Sequence, residues 1–386
     1  MRKILLFLLI FISTCLLSQK SISGVVLSKL DKKPLESTSV YIDGSTIGTY
    51  TDSHGCFTLK NIPVYCRIII SHVACKIEKL EVRENTPEHV TIYLSEKETH
   101  LSGVLVKGGN SRRKQNLKEF IPAFLGTDRC GKSARILNDS VLYFWHSTDT
   151  ILKPLSKKYI FEDVLHATTK TPLQVEMPLT GYTAFIDIES FTLKNGYENT
   201  DCNYVIYYKF ITKTPKSDQQ ESHFQQYRKS IYYNSAKHFC KSIFANNLKK
   251  NGYLIRLGYG LINSTRNDSI DFQLEPYIER DKGNDVKIIN MKNKQLFVYY
   301  FSKYGYKPLN LNGYDNEMNI YNNRWTYWEK GKNSTVIFKT DSCIIRSNGT
   351  IPDTNIMFCG SMAEKRCGSL LPDDYLPPIE QLSDEK

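Results

Sequence analysis

Gly48-Thr49-Tyr50-Thr51-Asp52-Ser53-His54-Gly55-Cys56-Phe57-Thr58-Leu59-Lys60-Asn61-Ile62-Pro63 is the stretch whose pattern sets the fold. Ser53-His54-Gly55 supplies the positive-φ residue that a tight connection needs, Phe57 and Leu59 alternate with polar neighbours behind it, and Ile62-Pro63 closes the run. That is a β-strand leaving a turn with one face buried. The same grammar extends in both directions. Ile22, Gly24 and Val26 alternate, as do Val40 and Ile42, and Asp43-Gly44 provides another turn. Arg67 to Ser71, Val90 to Leu94 and Val104 to Val106 complete a set of short strands, with no good helix among them. About seven strands in about 85 residues predict a sandwich.

Ile22-x-Gly24-x-Val26, Pro34-Leu35, Val40, Gly48-Thr49-x-Thr51-Asp52-x-x-Gly55-x-Phe57-x-Leu59 and Ile62-Pro63 together resemble the carboxypeptidase regulatory-like domain. The resemblance implies an N-terminal all-β transthyretin-like sandwich. Domains of this kind stand as accessory modules beside carboxypeptidases and at the front of TonB-dependent outer-membrane transporters, so the resemblance implies no catalysis. The chain departs from the family at Ala74-Cys75, where Gly-Tyr is usual, and the departure touches one turn.

Ahead of this segment, Arg2 and Lys3 precede an apolar run from Ile4 to Leu17 and a polar switch at Ser18-Gln19-Lys20. This is the pattern of a secretory signal peptide over residues 1–18, and it predicts an exported protein of the periplasm or the outer membrane and cell surface. Lipidation at Cys15 is the alternative. Thr14 is bulky for the position before a lipidated cysteine, and apolar Leu16 and Leu17 follow where polar residues are expected. No later stretch approaches the roughly 20 apolar residues of a spanning helix. The formal charge of +11 falls to +9 without Arg2 and Lys3. Its basic residues are dispersed, with Arg112-Arg113-Lys114 the densest cluster, so solubility explains the excess and no nucleic-acid partner is expected. Nine of the ten cysteines follow Cys15, an odd number, and none sits at CxxC spacing. Cys66 and Cys75 are placed to bridge neighbouring strands or to serve as small buried apolar residues.

The sandwich is read over residues 19–106, a linker over 107–116, and a second domain over 117–386. Leu117, Phe120, Ile121, Phe124 and Leu125 share a helical face, which Pro122 keeps short or kinked. Strands then dominate, at Val141 to Trp145, Leu173 to Met177, Tyr182 to Leu193, Tyr204 to Ile211, Leu296 to Phe301 and Thr335 to Lys339. Asn195-Gly196 and Asn348-Gly349 mark hairpins. One helix starts at the N-cap Ser235, repeats Phe239, Cys240, Ile243, Phe244 and Leu248, and ends toward Gly252. The second domain is therefore α+β, dominated by antiparallel sheet. Phe124-Leu125-Gly126, Ile136-Leu137-Asn138, Pro172-Leu173, Gly181-Tyr182, His238-Phe239 and Leu370-Leu371-Pro372-x-x-Tyr375 resemble a family of uncharacterised envelope proteins headed by the same regulatory-like domain.

Gly126-Thr127-Asp128-Arg129-Cys130-Gly131-Lys132-Ser133 satisfies the G-x-x-x-x-G-K-S pattern of a phosphate-binding loop. That motif needs a strand before it and a long helix after it. Here an apolar helical pattern precedes it, and a turn signal at Asn138-Asp139-Ser140 follows closely. No histidine is followed by Glu at the third position, and neither HExxH nor G-x-S-x-G occurs, so zinc-peptidase and serine-hydrolase signatures are missing and no cofactor or metal is expected. The aromatic run at 321–328 is the candidate binding surface. Strand alternation would set Trp325 and Tyr327 on one face and Arg324 and Trp328 on the other, suited to stacking on sugar rings, or else to closing a core. His238 joins the candidate list, with a core or capping role as its alternative.

The reading that results is a non-enzymatic cell-envelope binding or assembly module for glycan, peptide or an outer-membrane partner. A hydrolase with an unsigned active site in the second domain is one alternative. A fragment related to TonB-dependent transporters is another, although about 270 residues are too few for a plugged barrel of about 22 strands.

Overall fold

In the computed structural model, which describes residues 20–97, 110–153, 158–195, 200–259, 272–280, 285–292, 294–303, 307–308, 332–351 and 356–378, the N-terminal segment folds as two facing sheets. Its strands are β1 (Lys20–Ser28), β2 (Ser39–Ile42), β3 (Gly48–Tyr50), β4 (Cys56–Ile62), β5 (Cys66–Ser71), β6 (Glu78–Val82) and β7 (His89–Leu94). One sheet has the order β4-β1-β7 and the other β3-β2-β5-β6. Alternation on β1 buries Ile22, Gly24 and Val26, and these meet Phe57, Leu59, Ile68 and Ile70 in one core. Gly55 takes φ of +72°, and a Cβ there would come within 2.6 Å of the Val26 carbonyl oxygen, so the turn needs glycine on both counts. The Asp52 carboxylate holds the same turn by accepting from the His54 and Cys56 N–H groups, each at 2.9 Å. At the departure from the family pattern, Cys75 sits in the sandwich core. Cys66 is buried in the same core, and among the described residues no disulfide joins the two. Residues 1–18 and Val104 to Val106 lie outside the described residues.

Helix α1 (Asn110–Leu125) takes in residues 110–116 of the expected linker and carries Pro122 inside it. A five-residue helix, α2 (Arg129–Ser133), leads to six strands: β8 (Arg135–Ile136), β9 (Leu142–Lys153), β10 (Lys158–Thr169), β11 (Leu173–Met177), β12 (Tyr182–Asn195) and β13 (Thr200–Thr212). They form one sheet, ordered β8-β11-β12-β10-β9 with β13 on the other side of β12. The hairpin expected at Asn195-Gly196 is the β12–β13 pair, closed by Asn195 opposite Thr200.

By its internal contacts the chain divides into a first unit, Met1–Leu117 with Ile136–Glu176 and Tyr182–Thr212, and a second, Lys118–Arg135 with Met177–Gly181 and Lys213–Lys386. The first unit thus joins the sandwich to the six-stranded sheet. Tyr41 and Ile69 of the sandwich bury against Tyr207. The Gly44 N–H donates to the Tyr208 carbonyl at 2.7 Å, and the Phe210 N–H to the Ser45 carbonyl at 2.9 Å, so the β2–β3 turn pairs with the edge of β13. A buried polar seam continues the joint. Asp187 accepts from the Tyr41 hydroxyl at 3.0 Å and the Ser71 hydroxyl at 3.2 Å, while the Lys209 ammonium donates to Ser39 at 2.8 Å and Tyr50 at 3.0 Å. Burial raises the Asp187 pKa, and the two hydroxyl donors partly offset it.

The second unit contains helices α3 (Asp218–Tyr232) and α4 (Ala236–Phe244), then β14 (Tyr253–Tyr259), β15 (Ile278–Arg280), β16 (Asp285–Ile288), β17 (Lys294–Tyr300), β18 (Ser302–Lys303), β19 (Lys307–Pro308), β20 (Lys332–Phe338), β21 (Cys343–Arg346) and β22 (Ile356–Gly360). Sheets β14-β17-β20-β22 and β15-β16-β21 carry the core of Phe239, Tyr253, Leu296, Val298, Val336 and Ile345. The described strand pairings of this unit are antiparallel. Asn348-Gly349 makes a turn, with Gly349 at φ of +82° and the Arg346 N–H donating to the Thr350 carbonyl across it at 2.9 Å, but among the described residues the strands on either side, β21 and β22, do not pair with each other. β21 pairs with β16 and β22 with β20, because each finds its partner in a different sheet.

Candidate binding face on the six-stranded sheet

Strands β9 and β10 pair in register along their whole length, which sets Trp145 opposite His166. His166 in turn lies opposite Thr192 of β12, and Thr192 opposite Asn203 of β13. Directly opposed residues point to the same side of a sheet, so Trp145, His166, Thr192 and Asn203 form one row across four strands. The neighbouring row is Ser147, Val164, Lys194 and Asp201. At about 4.8 Å per strand, the rows span roughly 14 Å.

Val164 is buried, but several side chains on this face are open to water. Trp145 is 48% exposed, Tyr143 36% and Val205 38%. The indole of Trp145 and the ring of His166 stack nearly parallel, with centroids 5.0 Å apart and planes 7° from coplanar. The Ser147 hydroxyl shares a hydrogen bond of 2.7 Å with His166 Nε2. Burial, followed by the nearby His146, lowers the His166 pKa below the ordinary imidazole value. Lys170 lies over the Tyr143 ring at 4.7 Å. Lys194 pairs with Asp149, and the Asn203 amide donates to Asp201 at 3.0 Å. The result is a stacked aromatic pair bordered by hydroxyl, amide and paired charged groups.

Ser147 with His166 has the contact of a nucleophile and its base, but not the rest of that machinery. Among the described residues, His166 Nδ1 has no hydrogen-bond partner to orient it. His146, whose Nδ1 contacts Asp163 at 2.8 Å and Nε2 contacts Asn116 at 3.1 Å, occupies the next position along β9 and so the opposite face. Among the described residues no group of three or more His, Cys, Asp or Glu side chains is gathered as metal ligands would be.

Of the residues singled out from sequence, Arg324, Trp325, Tyr327 and Trp328 lie outside the described residues. His238 lies in the core of the second unit, 4% exposed. Its Nδ1 meets the Tyr253 hydroxyl at 2.8 Å, and the rings of Tyr232, Tyr233, Tyr253 and Tyr300 surround it. Burial lowers its pKa to about 3. The signal for the Trp145 face was the alternation Tyr143, Trp145, Ser147, Asp149. It went unread because strand β10, which supplies His166, has no clean alternation of its own.

The phosphate-loop pattern folds differently from a nucleotide site. Asp128 caps α2 and accepts from the Cys130 and Gly131 N–H groups, at 3.4 and 3.1 Å. Those are the amides a phosphate would need. Ser369 donates to the same carboxylate at 2.7 Å. Gly131 is packed against Gly368, where an added Cβ on Gly368 would stand 2.7 Å from the Gly131 Cα, so the loop is closed by protein.

Residues 22–106 match the CarboxypepD_reg-like domain. The carboxypeptidase regulatory-like module accounts for the two-sheet N-terminal fold and for no part of the Trp145 face. No curated protein matches the chain. Among solved structures, a 9R-lipoxygenase from Cyanothece PCC8801 is 8% identical over 61% of this chain and 48% of its own, with a TM-score of 0.19. The chain thus spans about half the length of that lipoxygenase. A putative membrane-associated protein of unknown function from Bacteroides fragilis NCTC 9343 is 10% identical over 51% of this chain and 84% of its own, with a TM-score of 0.17. Likenesses of that size bring neither a fold nor a function to this chain.

Proposed function

We propose that this protein is a non-enzymatic binding module of the cell envelope that holds a glycan on the exposed face of its six-stranded sheet. The observation that carries the reading is the half-exposed Trp145, stacked on His166 within a row that continues into Thr192 and Asn203. A sugar ring presents an apolar C–H face and an equatorial belt of hydroxyls. A rigid indole takes the first, and Ser147, Thr192, Asn203 and the Lys194–Asp149 pair offer donors and acceptors for the second. The regulatory-like sandwich supports the sheet from the same unit and supplies no catalytic group. Placement in the envelope rests on the leader-like pattern of residues 1–18.

Affinity electrophoresis through gels containing soluble bacterial polysaccharides and solubilised peptidoglycan tests the reading. Retardation is expected for the wild-type chain and not for Trp145→Ala, whose melting temperature should stay close to wild type because the ring is already half in water. Equal migration of the two proteins in every gel would overturn it.

A further inference from the structure

His166 meets both chemical elements of the sheet face. Its ring lies 5.0 Å from the Trp145 indole, with planes 7° from parallel, and neighbouring strands are about 4.8 Å apart, so the two rings face each other along the line from β9 to β10. One side of the indole is thus taken by the imidazole, and the exposed remainder is what a sugar ring meets. The same imidazole shares, through Nε2, the 2.7 Å hydrogen bond of the Ser147 hydroxyl. Among the described residues Nδ1 has no partner, so neither tautomer is fixed. A neutral ring accepts the Ser147 hydrogen in one tautomer and donates its own in the other, which leaves Ser147 free to serve a sugar hydroxyl as acceptor or as donor. An imidazolium carries a hydrogen on both nitrogens and allows only the second arrangement.

The charges around the ring come from each strand beside it. Partial burial is the largest influence against a positive ring, His146 of β9 and Lys194 of β12 add to it, and Asp163 of β10 opposes them. Past Ser147, Lys194 stands among Asp149, Asp201 and Glu162, so the described side chains at that end hold three carboxylates to one ammonium. Such an excess repels an acidic sugar, and the ligand that fits is uncharged. Seating an uncharged ring on Trp145 takes further water from the imidazole beside it. That costs little for a neutral ring and more for an imidazolium, which loses hydration without gaining a counter-charge. Binding therefore disfavours protonation, and by reciprocity protonation disfavours binding.

We propose that His166 is the positioning residue of this face, presenting Trp145 and Ser147 to an uncharged glycan while its ring is neutral and releasing that glycan when the ring is protonated. The inference rests on the reading of the face as a glycan site.

Affinity electrophoresis in the same soluble polysaccharides and solubilised peptidoglycan tests it, run at about pH 7.5 and about pH 5 on either side of the ordinary imidazole range, each against a ligand-free gel at the same pH. Near-UV circular dichroism at both values checks that the chain stays folded. Wild-type affinity for an uncharged polysaccharide should fall about two- to fivefold on acidification, as for a linked group that titrates below that range. His166→Gln places an amide that does not titrate near Ser147, so whatever its affinity, the ratio between the two pH values should be close to one. His146→Gln should keep the wild-type ratio. In the wild-type chain, the NMR titration midpoint of the His166 ring protons should move to lower pH when the retained polysaccharide is added. The proposal fails, with the glycan reading intact, if wild-type affinity does not fall, if His166→Gln keeps the fall or His146→Gln loses it, if the midpoint does not move, or if only acidic polysaccharides retard the chain. If no gel retards wild type more than Trp145→Ala at either pH, both readings fail together.

Discussion

Burial holds His238 neutral in the folded chain, with its pKa lowered from 6.5 to about 3 and the adjacent Lys365 and Lys241 adding to the effect. The unfolded chain takes up a proton below about pH 6.5, whereas the folded one declines it until about pH 3. The unfolded state therefore binds more protons in this window. Stability contributed by the neutral ring is fully present above pH 6.5 and is lost as pH falls toward 3. Between pH 7 and pH 4.5 the loss should be about 2 to 3 kcal/mol. His238→Gln, which keeps an acceptor for Tyr253, should remove that increment, so urea unfolding of both proteins at the two pH values should show the wild type losing more. Equal losses would mean that the ring is protonated, or solvated, in the native state.

At the scale of elements, α4 and α3 begin alike and were unequally legible. The Ser235 hydroxyl accepts from the His238 N–H at 3.1 Å and starts α4 where the sequence placed it. Ser217 does the same for α3, accepting from Gln220 at 3.2 Å, while the Gln220 side chain reaches back to the Lys216 N–H. This is close to a capping box. α3 escaped notice because its buried positions are sparse, only Phe224, Arg228, Ile231 and Tyr232, so periodicity was weak. Ser235→Ala should lower stability by about 1 kcal/mol in denaturant unfolding, and Ser235→Asp should recover most of it. No change in Ser235→Ala would show that packing of Phe239 and Ile243, rather than the cap, sets the start of α4.

At the scale of the molecule, the joint between sandwich and six-stranded sheet makes a distinguishing prediction. Tyr41 reaches across it to the buried carboxylate of Asp187. Tyr41→Phe should cost the full chain about 1 to 3 kcal/mol, since a buried acceptor loses a donor. In the fragment from Gln19 to Gly108, where Asp187 is missing, the same substitution should be nearly neutral. That fragment should still melt cooperatively on its own core, though with Tyr41 and Ile69 newly exposed. Calorimetry of four proteins settles the matter, and an equal cost in both backgrounds would place the role of the Tyr41 hydroxyl within the sandwich.

The sequence alone determined what depends on neighbouring residues. Turn residues at Asp43-Gly44 and Gly55, period-two burial on β1, the cap at Ser235 and the β12–β13 hairpin are all set by backbone sterics and short-range patterning, and each is present in the structure. Tertiary structure decided what depends on distant pairing. It joined the sandwich to strands more than a hundred residues later through Asp187 and Lys209, and it brought Trp145 beside His166. It also closed the Gly126 to Ser133 loop with Asp128 and Ser369, and sent the strands on either side of Asn348-Gly349, β21 and β22, to different sheets. Local pattern fixes which way a strand faces. Which strand lies beside it depends on contacts whose register appears only once the chain has closed on itself.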